Sequence, residues 1–319
     1  MLAPVPADTL VDPDPAFTRA VLAWYGLRGR SLPIRVTRDP YAVLVSEVMA
    51  QQTQIDRVAV AWAAFLERYP TIEALAGATP ADVLRAWKGL GYNRRALNLW
   101  RTARTVMDEH GGHLPRDVDE LERLPGVGPY TARAIAAIAF GVPVAAVDTN
   151  VRRVLGRVVA GAGTVIDPRS MQPTADRLVP AGRPGDWAHA LMDLGATVCL
   201  PARPRCPECP VQRWCRFAAE GARDELPARA AARQRRLPAQ VPFPASRRWL
   251  RGRLLDRLRE APDGAWTELD GPLGSHSAVA VRRALASLAR EHLVEVAEGS
   301  ATLARLPQRD GRTARRASS

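Results

Sequence analysis

The sequence predicts a mainly α-helical chain that closes with a small mixed α/β unit, and three observations carry that expectation. From Ala16 to about Ala219, apolar residues recur three and four apart, as in Val58, Trp62, Phe65 and Leu66 or Ile135, Ile138 and Ala139. No long alternating run of the kind that marks a strand interrupts them. Turn signals at Tyr69-Pro70-Thr71, Gly77-Ala78-Thr79-Pro80 and Gly111-Gly112-His113-Leu114-Pro115 cut this region into helices of ordinary length, with Thr71 and Thr79 placed as N-caps. Further on, the pattern predicts a helix over 249–259, a second over 278–290, and a hairpin pairing 293–296 with 301–303 around Glu298-Gly299.

That last order resembles a winged helix. Residues 222–246, rich in Arg, Ala and Pro and poor in large aliphatics, read as a linker, and 307–319 as a basic disordered tail. At 319 residues with 47% hydrophobic and 24% charged side chains, the chain can bury a core and is not wholly disordered. Its longest apolar stretch, 135–147, contains Gly141 and Pro143 and is shorter than the roughly 20 residues a membrane span needs. Residues 1–11 carry Asp8 and two prolines and lack the basic start and apolar core of a secretory signal, so a cytoplasmic location is expected. The net charge of +12 favours a polyanionic partner such as nucleic acid, although a GC-rich genome also enriches arginine. All but one of the 45 cationic side chains are arginine, the exception being Lys88.

All four cysteines fall in one short segment, Cys199, Cys206, Cys209 and Cys215, in the pattern Cys-x6-Cys-x2-Cys-x5-Cys. In a reducing compartment such a group means metal rather than disulfides. Four thiolates suit zinc too, but zinc ribbons usually show two Cys-x-x-Cys knuckles farther apart, and a compact all-cysteine loop suits a [4Fe-4S] cluster. Arg203 and Arg205, between the first two cysteines, are placed to meet phosphates from a ligand-pinned loop.

Upstream, Leu124-Pro125-Gly126-Val127-Gly128-Pro129-Tyr130 sets two glycines in a tight turn before an apolar helix, whose first N–H groups can face a phosphate. Alone, a Gly-x-Gly turn equally suits a plain helix connection. The cysteine loop resembles that of the endonuclease III and MutY-type DNA glycosylases, and the turn resembles their helix-hairpin-helix. The segment Val147-Asp148-Thr149-Asn150 follows where that superfamily keeps its essential aspartate. With Ser46-Glu47-Val48-Met49-Ala50-Gln51-Gln52 added, the likeness runs from about Phe17 to Ala219 and is nearest to the MutY-type adenine glycosylases.

The resemblance implies a helix-hairpin-helix glycosylase fold. Its parts would be a six-helix barrel over 36–147, a [4Fe-4S] lobe over 148–221 joined by the N-terminal segment 1–35, and the winged-helix-like domain over 247–306. It implies a monofunctional glycosylase of base excision repair that hydrolyses the bond from adenine, mispaired with 8-oxoguanine or guanine, to deoxyribose. Such chemistry needs an acid for the leaving base and a carboxylate beside the cationic sugar. By resemblance Glu47 is the acid, Asp148 the carboxylate, acting by charge or through a transient covalent bond, and Tyr130 supports both. The hairpin residues Gly126, Val127 and Gly128 would hold DNA, with Gln52 as the wedge that fills the vacated stack and Tyr92 near it. A base pocket would comprise Ile34, Arg35, Ala50, Asn150 and His189. The implied partner is double-stranded DNA with a mispaired base, bound by a monomer associated with the nucleoid, with no membrane and no small-molecule substrate. Endonuclease III-type enzymes carry a lyase lysine where Tyr130 stands, so strand cleavage is not expected.

The pattern departs from its relatives in places. Adenine enzymes commonly read Leu-Pro-Trp-Arg, Met-Leu-Gln-Gln and Gly-Tyr-Tyr, where this chain has Leu32-Pro33-Ile34-Arg35, Met49-Ala50-Gln51-Gln52 and Gly91-Tyr92-Asn93. His189 stands where Glu or Gln is usual, although a lone histidine there reads as helix surface. The C-terminal region is too short and helix-rich for the MutT-like domain that inspects 8-oxoguanine. Two alternatives therefore stay open: a thymine or uracil glycosylase of the same fold acting opposite guanine, and a catalytically silent iron-sulfur protein that binds DNA or senses redox state.

Overall fold

A computed structural model of the chain describes residues 15–162, 168–221 and 242–309. The expected linker therefore lies outside the described residues except for 242–246, and the expected tail except for 307–309. By compactness the chain divides into one unit of Met1–Glu47, Pro115–Arg123 and Val127–Leu237 and a second of Val48–Leu114, Leu124–Gly126 and Pro238–Ser319.

The first unit holds α1 (Pro15–Arg28), the greater part of α2 (Pro40–Ala50), α7 (Val118–Arg123), α8 (Pro129–Ala139), α9 (Thr149–Leu155), α10 (Pro168–Arg177), α11 (Pro184–Thr197) and α12 (Arg216–Ala219). Helix α11 is its axis and packs on α1, α8 and α9. Enclosure on several sides explains its sequence: Trp187, Ala188, His189, Ala190 and Leu191 are all buried in succession, because a helix surrounded by others has no solvent face. Phe17 of α1 meets Trp187 edge-on at 5.9 Å between ring centroids and Trp214 at 6.4 Å. Phe17 and Trp187, both fully buried, each contribute on the order of 2–3 kcal/mol. A π-helical turn over Gly156–Ala160 continues α9 and turns Arg157 toward the cysteine loop.

The second unit holds the end of α2, α3 (Ile55–Arg68), α4 (Ile72–Gly77), α5 (Pro80–Ala86), α6 (Arg94–His110), α13 (Arg247–Glu260), α14 (Ala278–Arg290) and a small sheet. Thr71 and Thr79 cap α4 and α5 as expected, accepting from Ala74 N at 3.2 Å and Asp82 N at 3.1 Å. The sheet joins β1 (Thr267–Glu268), β2 (Glu295–Val296) and β3 (Leu303–Arg305) in the order β1-β3-β2, antiparallel throughout. The expected hairpin is present with its second strand shifted to 303–305, and Gly299 turns it with a φ of 75°. Strand β1 has no counterpart among the elements the sequence predicts. Helix α13 is tied to α5 and α6: Arg259 donates to Leu84 O at 2.9 Å and to Asn93 Oδ1 at 2.5 Å, and Arg85 pairs with Asp263 at 2.9 Å. The segment expected to stand as a separate domain over 247–306 thus packs into the same unit as α3 to α6. Among the described residues, no helix is long and apolar enough to cross a membrane.

Candidate active site

Four side chains from four elements converge in the first unit. Glu47 lies near the end of α2, whose first turn is capped by Asp39 accepting from Ala42 N at 2.8 Å. Tyr130 is in the first turn of α8, which starts at the hairpin. Gly126 there has a φ of 80°, and a β-carbon on it would stand 2.6 Å from Asn98 Cβ, so only glycine fits. Gly128 is the N-cap of α8 with no side-chain cap, which leaves that helix start open to a phosphate. Val127 between them is buried and anchors the turn.

The Tyr130 hydroxyl hydrogen-bonds the Glu47 carboxyl and lies 3.3 Å from Met192 Sδ. Burial lifts Glu47 from 4.5 to about 7, Asp148 adds to the lift, and the Tyr130 hydroxyl and Arg35 charge oppose it. Glu47 therefore holds its proton near neutral pH, as a general acid must. The Tyr130 phenol is pushed well above its usual value, chiefly by burial and then by both carboxylates, so it remains a donor.

Asp148 is the N-cap of α9: Oδ1 accepts from Val151 N at 2.7 Å and Oδ2 from Asn150 Nδ2 at 2.9 Å. Capping does not use up the carboxylate: the cap fixes it while its remaining lone pairs stay available. Asn150 accepts in turn from Arg153 Nη2 at 2.8 Å, and Arg153 also donates to Gly195 O at 2.7 Å and Cys199 O at 2.8 Å. A β-carbon on Gly195 would meet Asn150 Cβ at 2.6 Å, so glycine permits this approach of α11 to α9.

Arg35 follows the buried Ile34 in a short 3-10 turn, Pro33–Arg35, and grips Asp193 of α11 with two bonds of 2.6 and 2.8 Å. Arg30 adds its backbone N–H at 2.8 Å and Nε at 2.6 Å. The Asp193 side chain is 0% exposed. Burial works against its charge, but these donors outweigh burial and hold its carboxyl below the usual range. His189, one turn earlier on α11, is buried rather than on a helix surface and lies against Tyr25 at 6.5 Å. Burial, then the charges of Arg35 and Arg38, push it down to about 3, so its imidazole is neutral. The structure thus gathers Glu47, Tyr130, Asp148 and Arg35, with Asn150 bonded to Asp148 and with Ile34 and His189 near Arg35.

In the second unit, Ala50 ends α2 half-buried, and Gln52 and Tyr92 stand exposed on two loops, both with left-handed backbone (φ 56° and 44°). Such strain in residues bearing a β-carbon persists only where the surroundings impose it, and it clusters at functional sites. Arg95 ties both loops together: its buried guanidinium donates to Val48 O and Met49 O at 2.8 Å, Thr53 Oγ1 at 3.0 Å, and Leu90 O and Gly91 O at 3.2 Å. The same group lies 5.7 Å from the centroid of the Tyr92 ring.

Cys199, Cys206, Cys209 and Cys215 line one cavity of about 20 Å³, walled by Val154, Val158, Leu194 and Phe217. Among the described residues, no three His, Cys, Asp or Glu side chains are set to hold a single metal ion. Burial, with the neighbouring sulfurs adding, raises the Cys206 and Cys215 thiols and pushes Cys209 up to about 12. As thiolates they require positive charge among them. Arg157 supplies some, 3.2 Å from Cys199 Sγ, while also binding Leu200 O and Pro201 O. Arg203 and Arg205 are exposed on the loop, Arg203 with a φ of 57° and Arg205 4.0 Å from Glu208.

Asp193, Arg95, Arg153 and Arg157 were not singled out from the sequence. No local signal marks them: each acts on a partner distant in the chain or on backbone carbonyls.

Comparison with known proteins agrees with this arrangement. The pattern of the HhH-GPD superfamily of base excision DNA repair proteins matches residues 45–180. The chain is 43% identical over 243 residues to an adenine DNA glycosylase of Mycolicibacterium smegmatis, spanning 76% of this chain and 80% of that one. It is 46% identical over 213 residues to the adenine DNA glycosylase of Homo sapiens, spanning 63% of this chain but only 39% of the human protein. A solved thermostable thymine-DNA glycosylase superposes with a TM-score of 0.61 at 31% identity, over 64% of this chain and 96% of that one. The expected fold class is borne out.

Proposed function

The chain belongs to the HhH-GPD superfamily of base excision DNA repair proteins, and from that premise we propose that it is an adenine DNA glycosylase that leaves an abasic site in mispaired DNA. The observation that carries this reading is a carboxylic acid, Glu47, held protonated to about pH 7 beside the fixed carboxylate of Asp148. Glu47 gives its proton to a ring nitrogen of the flipped adenine, and the bond from C1′ to the base breaks with its electron pair leaving on the base. The Asp148 carboxylate stabilises the positive charge that develops on the sugar. Water then adds at C1′ and returns a proton to Glu47. The Tyr130 hydroxyl orients Glu47, and the Arg35–Asp193 pair fixes the turn behind it. Hairpin residues 126–128 and the Gln52 and Tyr92 loops serve the duplex, with mispaired adenine opposite 8-oxoguanine or guanine as its substrate.

The enzyme acts without strand cleavage. Tyr130 stands where a lyase would need an amine, and the one lysine, Lys88, is exposed and 3.3 Å from Glu260. What supports a [4Fe-4S] cluster held by Cys199, Cys206, Cys209 and Cys215 is that all four sulfurs line one cavity from a single compact loop. When bound, the cluster supplies a rigid anchor for the loop that carries Arg203 and Arg205. Protein purified without oxygen is expected to contain about four irons per chain, and stoichiometric zinc would overturn this assignment.

The deciding experiment is single-turnover base release from duplexes with adenine opposite 8-oxoguanine, adenine opposite guanine, and thymine or uracil opposite guanine, each with and without alkali. Fastest release of adenine, with strand breaks only after alkali, is expected. Release of pyrimidines alone would assign the chain to the specificity named for its structural neighbour, and no release at all would favour a silent DNA-binding protein.

A further inference from the structure

The second unit contains a groove of about 930 Å³ whose walls are the Gln52 and Tyr92 loops with the start of α6 on one side and α13 on the other. Its charge is unevenly neutralised. Arg259 and Arg253 are both tied to Asp256, Arg251 to Glu291, and Arg95 to the loop carbonyls. Arg57, Arg94, Arg247 and Arg248 also line the groove and are exposed, and none is paired with a carboxylate among the described residues. Arg248 lies over the Tyr92 ring, 4.8 Å from its centroid, so α13 touches the very loop whose backbone is strained. Phe243 stands 59% exposed on the same groove. Unneutralised arginines beside exposed aromatic faces are the makings of a nucleic-acid strand site, with the guanidinium groups on phosphates and the rings against bases.

We propose that this groove binds the DNA strand opposite the excised base, with Arg247 and Arg248 of α13, and Arg57 and Arg94 facing them, as phosphate contacts. The C-terminal module is then part of the DNA-binding face, and it works through its first helix rather than through the second. On α14 the exposed Arg282 is already engaged with Asp270 at 3.5 Å. The choice of strand rests on the glycosylase reading: residues that fill the space of a flipped base face the partner left behind, and Gln52 and Tyr92 form this groove's wall.

The test is equilibrium binding of the full-length protein to a duplex carrying a tetrahydrofuran abasic analogue opposite guanine, measured by fluorescence anisotropy across a potassium chloride series. No turnover is needed, so failure of base release would leave this measurement intact. Replacing both arginines (Arg247→Ala with Arg248→Ala) is expected to weaken binding about 10-fold and to lower the slope of log K against log salt by about 2, one for each lost phosphate contact. The paired change Arg247→Lys with Arg248→Lys should restore the slope, which a merely structural role would not do. Neutral methylphosphonate linkages on the guanine strand should weaken the wild type and not the alanine variant. An unchanged slope, a lysine variant as defective as the alanine one, or sensitivity confined to linkages of the abasic strand would each overturn the proposal. So would loss of slope on changing Arg282→Ala with Arg283→Ala while the α13 variant binds normally.

Discussion

Glu47 carries a free energy that can be measured without assaying catalysis. Its carboxyl is lifted from 4.5 in the open chain to about 7 in the folded protein, first by burial. Each tenfold gain in proton affinity is worth about 1.4 kcal/mol, so the lift represents roughly 3 kcal/mol. The sign follows from proton counting. Between about pH 4.5 and pH 7 the folded state binds more protons at this site than the unfolded state, so stability falls as pH rises through that window and is level beyond it. Glu47→Gln removes the ionisation and should therefore gain roughly 3 kcal/mol on the wild type between pH 5 and pH 8, read from urea denaturation of both proteins at each pH. The same acid sets the rate: single-turnover base release should be level below about pH 7 and then fall about tenfold for each further pH step of one as the donor is lost. Parallel stability profiles for the two proteins, or a decline in rate that begins near pH 5, would refute the claim that burial keeps this carboxyl protonated.

Three more outcomes follow from neighbouring geometry. Asp148→Asn keeps an oxygen for Val151 N but removes the charge; it should abolish base release while duplex binding by anisotropy persists, and loss of both would mean that the cap alone matters. Arg35→Met leaves the Asp193 carboxylate, 0% exposed, with Arg30 as its remaining cationic partner. This should cost about 3 kcal/mol in urea denaturation and, because the Arg35 charge lowers Glu47, move the rate profile to higher pH; an unchanged denaturation midpoint would show that the pair contributes nothing. Arg95→Met removes the donor shared by the carbonyls of Val48, Met49, Leu90 and Gly91, which should destabilise the protein by about 3 kcal/mol. Arg95→Lys should recover only part of that, since an ammonium cannot reproduce the planar fork; full recovery in a thermal melt would show that charge, not geometry, braces the loops.

What could be read from the sequence, and what could not, follows the range of each interaction. The cysteine loop, the Gly126–Gly128 turn and the caps at Thr71 and Thr79 are local: the cysteines crowd one short segment, and turn glycines and capping oxygens act within a few residues, so spacing alone exposes them. The roles of Glu47 and Asp148 came only through family likeness, because a glutamate on a helix and an aspartate before one have ordinary explanations, and Asp148 does in fact cap its helix. His189 looked like surface because helical periodicity presumes a solvent face, which α11 lacks along 187–191. The two-residue strand β1 is too short to alternate, and only its pairing with β3 defines it. The arginines show the limit most plainly. In a chain whose cations are almost all arginine, net charge cannot separate Arg35, which pairs with an aspartate 158 positions away, or Arg95, which binds carbonyls some 46 positions back, from arginines left open to solvent. The distinction is burial: a guanidinium enclosed in the fold and bonded there to a carboxylate or to carbonyls is scaffold, and an exposed one with no carboxylate beside it still has its charge to give to a ligand. Arg248 is of the second kind, and that, rather than the +12 total, locates a nucleic-acid surface on α13.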